Sequence, residues 1–263
     1  MITRLTCLCC LLVCFTLNSQ TWRLVTEPFP PFLIDNSEKP GWVHEVVIAA
    51  LKSQNKKAVI EYTQWARALK LAKRHKHIAV LGAFYSEDRA KVFYYSKPLG
   101  FANVVLFKRQ DAVIRYNGSV DSLKPYTISM GEDYVSSEEF TNNTTLGITT
   151  TRDLVESLYL LQQERVDLVA GTKEVAEYWL AHNSKLQNSD VVVTALKPNL
   201  ATHQLYIISA KSHPQSIEFQ NELEKGLVEI INNGQAEIIL NRYQLSDKEK
   251  QAFYSPFLRT EMP

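Results

Sequence analysis

Short apolar runs alternate along this chain with longer stretches in which apolar residues recur every three or four positions. Thr21–Val25 (TWRLV), Ala58–Tyr62 (AVIEY), Ile78–Leu81 and Ala102–Lys108 (ANVVLFK) are short and carry many β-branched side chains. They read as strands, as do Val191–Thr194 and Gln204–Ser209 (QLYIIS). Between them, Val43, Val46, Val47, Ala50 and Leu51 mark one buried stripe on a helix from Gly41 to about Ser53. Leu69 and Ala72 face inward on a helix from Gln64 to about His75, and Leu154, Leu158 and Leu161 on one from Asp153 to Gln163. Thr149 to Asp153 reads as the cap of that last helix. A further helix runs from Lys173 to Ala181, and a long one follows Ser212-His213-Pro214 to about Ile231. Strands alternating with helices predict an α/β protein.

The breaks in this pattern hold the candidate chemistry. Gly82-Ala83 follows the Ile78–Leu81 run and lets the backbone approach other groups closely. Phe84 and Tyr85 then place aromatic faces at the strand's C-terminal end. Ser86 reads as a helix N-cap with Glu87 and Asp88 in the first turn, and Arg89 follows as a fixed cation. Ligands of open α/β sheets sit outside the carboxyl ends of strands. A guanidinium beside aromatic faces suits a small solute carrying a carboxylate. The competing reading is a surface ion pair of Arg89 with Glu87, Asp88 or another acid. After the first strand, Pro28, Pro30 and Pro31 enforce an extended loop. Phe29 and Phe32 in that loop either plug the core or cover a ligand. Trp65 stands where the second strand has just ended and a helix begins. His75 and His77 lie two apart with no acid nearby in sequence, a poor metal site. His44 reads as a surface residue.

The segment from Ser86 to Leu99, SEDRAKVFYYSKPL, resembles the "T-x-x-R…(F/Y)S-x-P(Y/L)" block of solute-binding proteins family 3, the periplasmic receptors of polar amino-acid uptake systems. The loop containing Pro31-Phe32 resembles the family's "Y-x-P-F". Trp65-Ala66-Arg67-Ala68-Leu69 is similar to a segment bordering the cleft in some Gram-negative members. Asp121–Gly131 resembles the entry to the second lobe, Arg165-Val166-Asp167 the family's "R-V-D" strand, and Gly226 to Tyr243 its closing helices. The resemblance implies a two-lobed type II periplasmic-binding-protein fold with two hinge crossovers and a central cleft. It implies lobe 1 at residues 21–107 plus 204–263 and lobe 2 at 108–203. It also implies that Arg89 clamps a carboxylate, that Phe29 stacks on the ligand while Phe32 is structural, and that Asp167 is structural. Phe84, Tyr85 and Trp65 join the candidate ligand contacts, with Asp133 and Thr172 from the second lobe. Two positions depart from the pattern. Glu132-Asp133 stands where amino-acid receptors carry Thr or Ser for the carboxylate, and an acid facing a carboxylate costs energy. Gly171-Thr172 stands where they keep an Asp for the α-ammonium, for which Glu174 is a possible substitute.

Composition narrows the classes. The 263 residues carry 29 Lys and Arg against 28 Asp and Glu, and 45% are hydrophobic. That balance offers no electrostatic footprint for nucleic acid and no polybasic membrane patch. Residues 1–20, MITRLTCLCCLLVCFTLNSQ, hold one cation and a short apolar stretch, the pattern of a secretory signal peptide with cleavage near Ser19. Leu11-Leu12-Val13-Cys14 superficially resembles a lipobox, but Val13 is a poor residue before an acylated cysteine. All four cysteines, Cys7, Cys9, Cys10 and Cys14, fall in that segment, so the mature chain has none to pair or ligate zinc. The Asn142 and Asn143 sequons are given no role. The expected protein is a monomeric periplasmic receptor without cofactor or metal. It captures a small polar solute by hinge closure for a membrane permease of ABC type. The alternatives are a sensory subunit read by a membrane receptor, or a periplasmic dehydratase of the same fold, for which Glu132, Asp133 and Glu174 are the candidate acids.

Overall fold

The computed structural model of the protein describes residues 21–258, so the expected signal segment lies outside the described residues. The chain enters through β1 (Trp22–Thr26), then α1 (Trp42–Ser53), β2 (Ala58–Tyr62), α2 (Trp65–Lys73) and β3 (Ala79–Ala83). The short helix α3 (Glu87–Val92) and strand β4 (Phe93–Tyr95) lead into the long strand β5 (Gly100–Arg109). The middle of the chain forms β6 (Thr127–Gly131), α4 (Glu138–Thr141), β7 (Gly147–Thr151), α5 (Leu154–Gln162), β8 (Leu168–Thr172), α6 (Lys173–His182) and α7 (Ser184–Gln187). It returns through β9 (Val193–Ala195) and β10 (Ala201–Ala210) and ends in α8 (Ser216–Asn232), α9 (Gln235–Arg242) and α10 (Asp247–Leu258).

The strands run in the order β2-β1-β3-β10-β5-β8-β6-β7. At one end β2, β1 and β3 are parallel, and at the other β7, β6 and β8 are parallel. Two long strands join these ends. Ala201–Leu205 of β10 pairs antiparallel with Gly100–Val104 of β5, and the rest of β10 pairs with β3 and β4. β5 continues past Val104 to pair with β8. The register of β10 against β3 shifts at Tyr206/Ile207, just past Leu205, where its pairing with β5 ends. The carboxyl ends of both parallel sets therefore face a common gap, and the two crossing strands are its only sheet connection among the described residues.

The largest apolar cluster draws on both ends, Leu24, Val46 and Phe219 with Leu154, Leu161 and Val169, and each end adds a smaller one. Leu106, Val120, Leu123, Ile128, Phe140 and Leu168 form a cluster at the β6–β8 end. Val25, Trp65, Ala68, Leu69, Val80 and Phe93 form another beneath α2. Asn103 fixes the crossover. Its Nδ2 donates to Glu174 Oε1 at 2.6 Å and its backbone N–H to Glu174 Oε2 at 3.1 Å. Its Oδ1 accepts from Thr202 Oγ1 at 2.9 Å and Asn199 Nδ2 at 3.1 Å. Glu174 is thus bound into the crossover. Asp167 is held locally, its Oδ2 accepting from the backbone N–H and hydroxyl of Thr127, both at 2.8 Å.

Several sequence expectations need correction. Thr149–Thr151 belongs to strand β7, and only Asp153 caps α5, its Oδ1 accepting from Glu156 N at 2.8 Å. The polar, threonine-rich composition hides a strand whose side chains are mostly exposed. His77 does have an acidic partner: its Nε2 lies 2.9 Å from Glu61 Oε2 on β2. Strand pairing brings that acid close although it is sixteen residues away. His44 is half-buried, its Nδ1 2.9 Å from the Tyr62 hydroxyl.

α1 packs on α8 at one point with no room for a side chain. A Cβ at Gly226 would lie 2.0 Å from the Ala50 carbonyl oxygen. Gly226→Ala should therefore force the two helices apart and destabilise the protein by about 1–3 kcal/mol, as overpacking typically does. Thermal or urea unfolding measures this, and a wild-type midpoint would contradict the contact.

Candidate functional site

The side chains that meet in the gap all come from strand carboxyl ends. Glu27 and Phe29 follow β1, Trp65 opens α2 after β2, and Phe84 and Arg89 follow β3. Asp133 and Tyr134 follow β6, and Thr172 ends β8. Ser86 caps α3 as its sequence predicts, its Oγ accepting from Arg89 N at 3.3 Å, which fixes where the arginine leaves the backbone.

Arg89 turns into the gap. Its Nη1 donates to the Phe84 carbonyl at 3.2 Å, and its Nη2 donates to the Asp133 carbonyl of the opposite side. The guanidinium lies over the Trp65 ring, 5.2 Å from its centroid, a cation–π arrangement. Trp65 Nε1 donates to the same Asp133 oxygen at 3.2 Å. Asp88 pairs instead with Lys91 at 2.6 Å, and among the described residues Arg89 makes no ion pair. The surface-pair reading of this arginine therefore does not hold.

Phe29, Trp65, Phe84, Arg89 and Thr172 line one cavity together with Glu27 and Tyr134. Phe29 stacks on Phe32 with centroids 5.4 Å apart and meets Phe84 edge-on at 6.0 Å. Phe84 in turn stacks on His203 at 4.9 Å. The cavity measures about 30 Å³, room for about one or two waters. Tyr85 and Asp133 line an adjoining open groove with Asp88, Glu138 and His203. Tyr85 is half exposed and packs on Tyr95. What Asp133 presents to Arg89 is its backbone carbonyl, so the expected clash between an acid and a ligand carboxylate does not arise from that contact. Asp133 itself has φ 61°, the left-handed region that Asp tolerates better than most residues.

Two residues of the site were not singled out in the sequence. Glu27 is 6% exposed, and the Tyr134 hydroxyl donates to its Oε2 at 2.7 Å across the gap. Burial pushes the Glu27 carboxyl up to about 8; the Tyr134 hydrogen bond opposes this, Asp153 adds to it, and Arg89 opposes it. Tyr134 is pushed well above the ordinary tyrosine value by burial and by Glu27. A Cβ at Gly131 would sit 2.8 Å from the Tyr134 ring, so only glycine lets the ring fold back over this turn. The signal for Glu27 was its position directly after a strand end, the same signal that marked Arg89.

A buried carboxyl with a raised pKa makes stability depend on pH. The unfolded chain ionises Glu27 near 4.5 and the folded chain near 8, so the folded state holds the proton between those values. This contribution is complete below pH 4.5 and is lost as pH rises through 8. At 1.36 kcal/mol per pKa unit it amounts to a few kcal/mol. Between pH 5 and 9, Glu27→Gln should flatten the pH dependence of the melting temperature relative to wild type. Parallel profiles for the two proteins would contradict the burial of an ionisable Glu27.

No sequence among curated proteins matches the chain. Solved structures share its fold at low identity. One is a histidine kinase sensor domain with similarity to periplasmic binding proteins, with a TM-score of 0.74 and 16% identity, covering 86% of this chain and 96% of that one. A second is a mutant of ArgBP from T. maritima, with a TM-score of 0.71, 16% identity and coverage of 85% and 94%. A third is the substrate binding protein of an amino acid ABC transporter, with a TM-score of 0.69, 16% identity and coverage of 86% and 99%. These establish the two-lobed type II periplasmic-binding-protein fold. The sequence profile of the bacterial extracellular solute-binding proteins, family 3, matches residues 23–246, and the chain belongs to that family.

Proposed function

We propose that the protein is an exported periplasmic receptor whose two lobes close on a small polar solute bearing a carboxylate, delivering it to an ABC-type permease. The lobes are residues 21–107 with 204–263, and residues 108–203, hinged at β5 and β10. One observation carries the ligand class. A guanidinium lies in the gap between the lobes over an indole, and its partners are two backbone carbonyls, with no ion pair to a carboxylate among the described residues. Carbonyls do not neutralise its charge, on which Asp133 and Glu27 act without an ion pair, whereas a carboxylate can take two parallel N–H bonds and neutralise it. Phe29, Phe84, Trp65 and Thr172 complete the contact surface on this reading, with Tyr85 and the outward side of Asp133 at its mouth. No catalytic step is assigned, and a dehydratase reading gains nothing from Glu174, whose carboxylate is committed to Asn103.

A second reading, a sensory subunit whose closure is read by a membrane receptor, is favoured by the sensor-domain likeness. The two diverge in the partner: stimulation of a permease's ATPase supports uptake, and a change in receptor kinase activity supports sensing.

A carboxylate solute at a hundredfold excess over its Kd should stabilise the protein by about 2.7 kcal/mol. Arg89→Ala should weaken binding of that solute by about 2–5 kcal/mol, the usual cost of removing one partner of a desolvated charge pair. Titration calorimetry of both proteins measures this, and unchanged affinity in the variant would remove Arg89 from the site.

A further inference from the structure

Two adjacent residues of one loop occupy both polar hooks of the cleft. The Asp133 carbonyl accepts from the Arg89 guanidinium and from Trp65 Nε1, and the Tyr134 hydroxyl donates to Glu27. The same loop is tied at its far end, where the Ser136 carbonyl meets His203 Nε2 at 3.1 Å. Tyr134 walls the central cavity and also both grooves that lead from it. An acceptor oxygen thus sits on the cation of the site, and a hydrogen-bond donor sits on its acid.

Resting on the carboxylate reading of Arg89, we infer that Glu27 is the second anchor of the ligand and takes a protonated amine. The loop from Gly131 to Ser136 is an internal stand-in that a zwitterionic solute displaces. The anchor comes from the loop after β1, not from Gly171-Thr172 after β8, and this accounts for the missing acid at that position.

The polarity of the stand-in sets the chemistry of what replaces it. A solute must bring an oxygen acceptor to Arg89 and a donor to Glu27. A hydroxyl at Glu27 would only reproduce the phenol already there. An ammonium brings up to three N–H donors and a charge, and so compensates an ionised carboxylate that burial otherwise disfavours. Glu27 and Arg89 make no ion pair with each other among the described residues, so both stay available to one guest. The other ionisable groups around Glu27 are Tyr134, Asp153 and Arg89, with Asp35, Tyr62 and Arg67 lining the adjoining groove. Among the described residues, Asp153 and Asp35 outnumber the one cation of that groove, Arg67. Within the loop, Asp133 lies in the left-handed region at φ 61°, and the Tyr134 ring folds over Gly131. Because buried Glu27 holds a proton, with a value near 8, seating an ammonium against it sends that proton to buffer.

The test uses matched sets of amino acid, deaminated acid and decarboxylated amine, such as L-phenylalanine, 3-phenylpropionate and phenethylamine, with glutamine and arginine sets alongside. Thermal shift finds the binding set and calorimetry at pH 7 measures it. In that set the amino acid should bind and the two truncated members should lose at least about tenfold, the scale of one hydrogen bond to a charged group. Glu27→Gln, which keeps the size and can still accept from Tyr134, should lose affinity for the amino acid alone. Tyr134→Phe should gain affinity, since the competing hydroxyl is gone. Calorimetry in buffers of different ionisation enthalpy should show proton release in wild type and none in Glu27→Gln. Deaminated acids that bind as well as their amino acids, or a Glu27→Gln protein with wild-type affinity, would overturn the amine anchor while leaving the carboxylate reading intact. Wild-type affinity in Tyr134→Phe would overturn the stand-in. If no carboxylate of any set binds, the carboxylate reading falls, and the amine anchor falls with it.

Discussion

A guanidinium taken out of water needs hydrogen-bond partners, and here they come from both halves of the molecule at once. Arg89 reaches the Phe84 carbonyl on its own side and the Asp133 carbonyl on the other, with Trp65 packed beneath it and bonded to the same oxygen. The Glu27–Tyr134 hydrogen bond spans the same gap. Polar contacts to a single loop thus tie the halves across the gap, beside an apolar cluster that draws residues from both. Closure of this kind depends on what occupies the hooks, because the hooks are costly to bury unsatisfied.

The fold sets up this dependence. Two parallel sets of strands direct their carboxyl ends into one gap, where short loops and helix starts deliver side chains at fixed angles. Among the described residues only β5 and β10 carry the sheet from one end to the other, and the register of β10 against β3 shifts just past the end of its pairing with β5. Strands with few cross-connections can change their mutual angle at small cost, the usual basis of hinge motion. The network around Asn103 and Glu174 ties the crossing strands to one another and to the start of α6.

How much of this was legible in the sequence depends on how local each signal is. Arg89 could be read because everything that aims it lies within a few residues: the Ile78–Leu81 run, the glycine, and the Ser86 cap. The α1 stripe could be read as pattern, whereas Gly226 was legible only as part of the closing helices and its approach to Ala50 was not. Glu27 and Tyr134 escaped because their pairing joins residues 107 apart and exists only when the halves meet. Strand β4 is three residues long and β7 is mostly exposed threonine, so neither offers the apolar run that marks a strand. The Glu61–His77 contact escaped for the same reason as Glu27, being a product of strand order.

The account stands or falls on what contacts Arg89 when the protein holds its solute. A crystal structure with a carboxylate solute from the thermal screen tests this directly. The account predicts the carboxylate on the Arg89 guanidinium above Trp65, with the Asp133 carbonyl withdrawn from it. A solute bound elsewhere, with the Arg89–Asp133 contact intact, would contradict it.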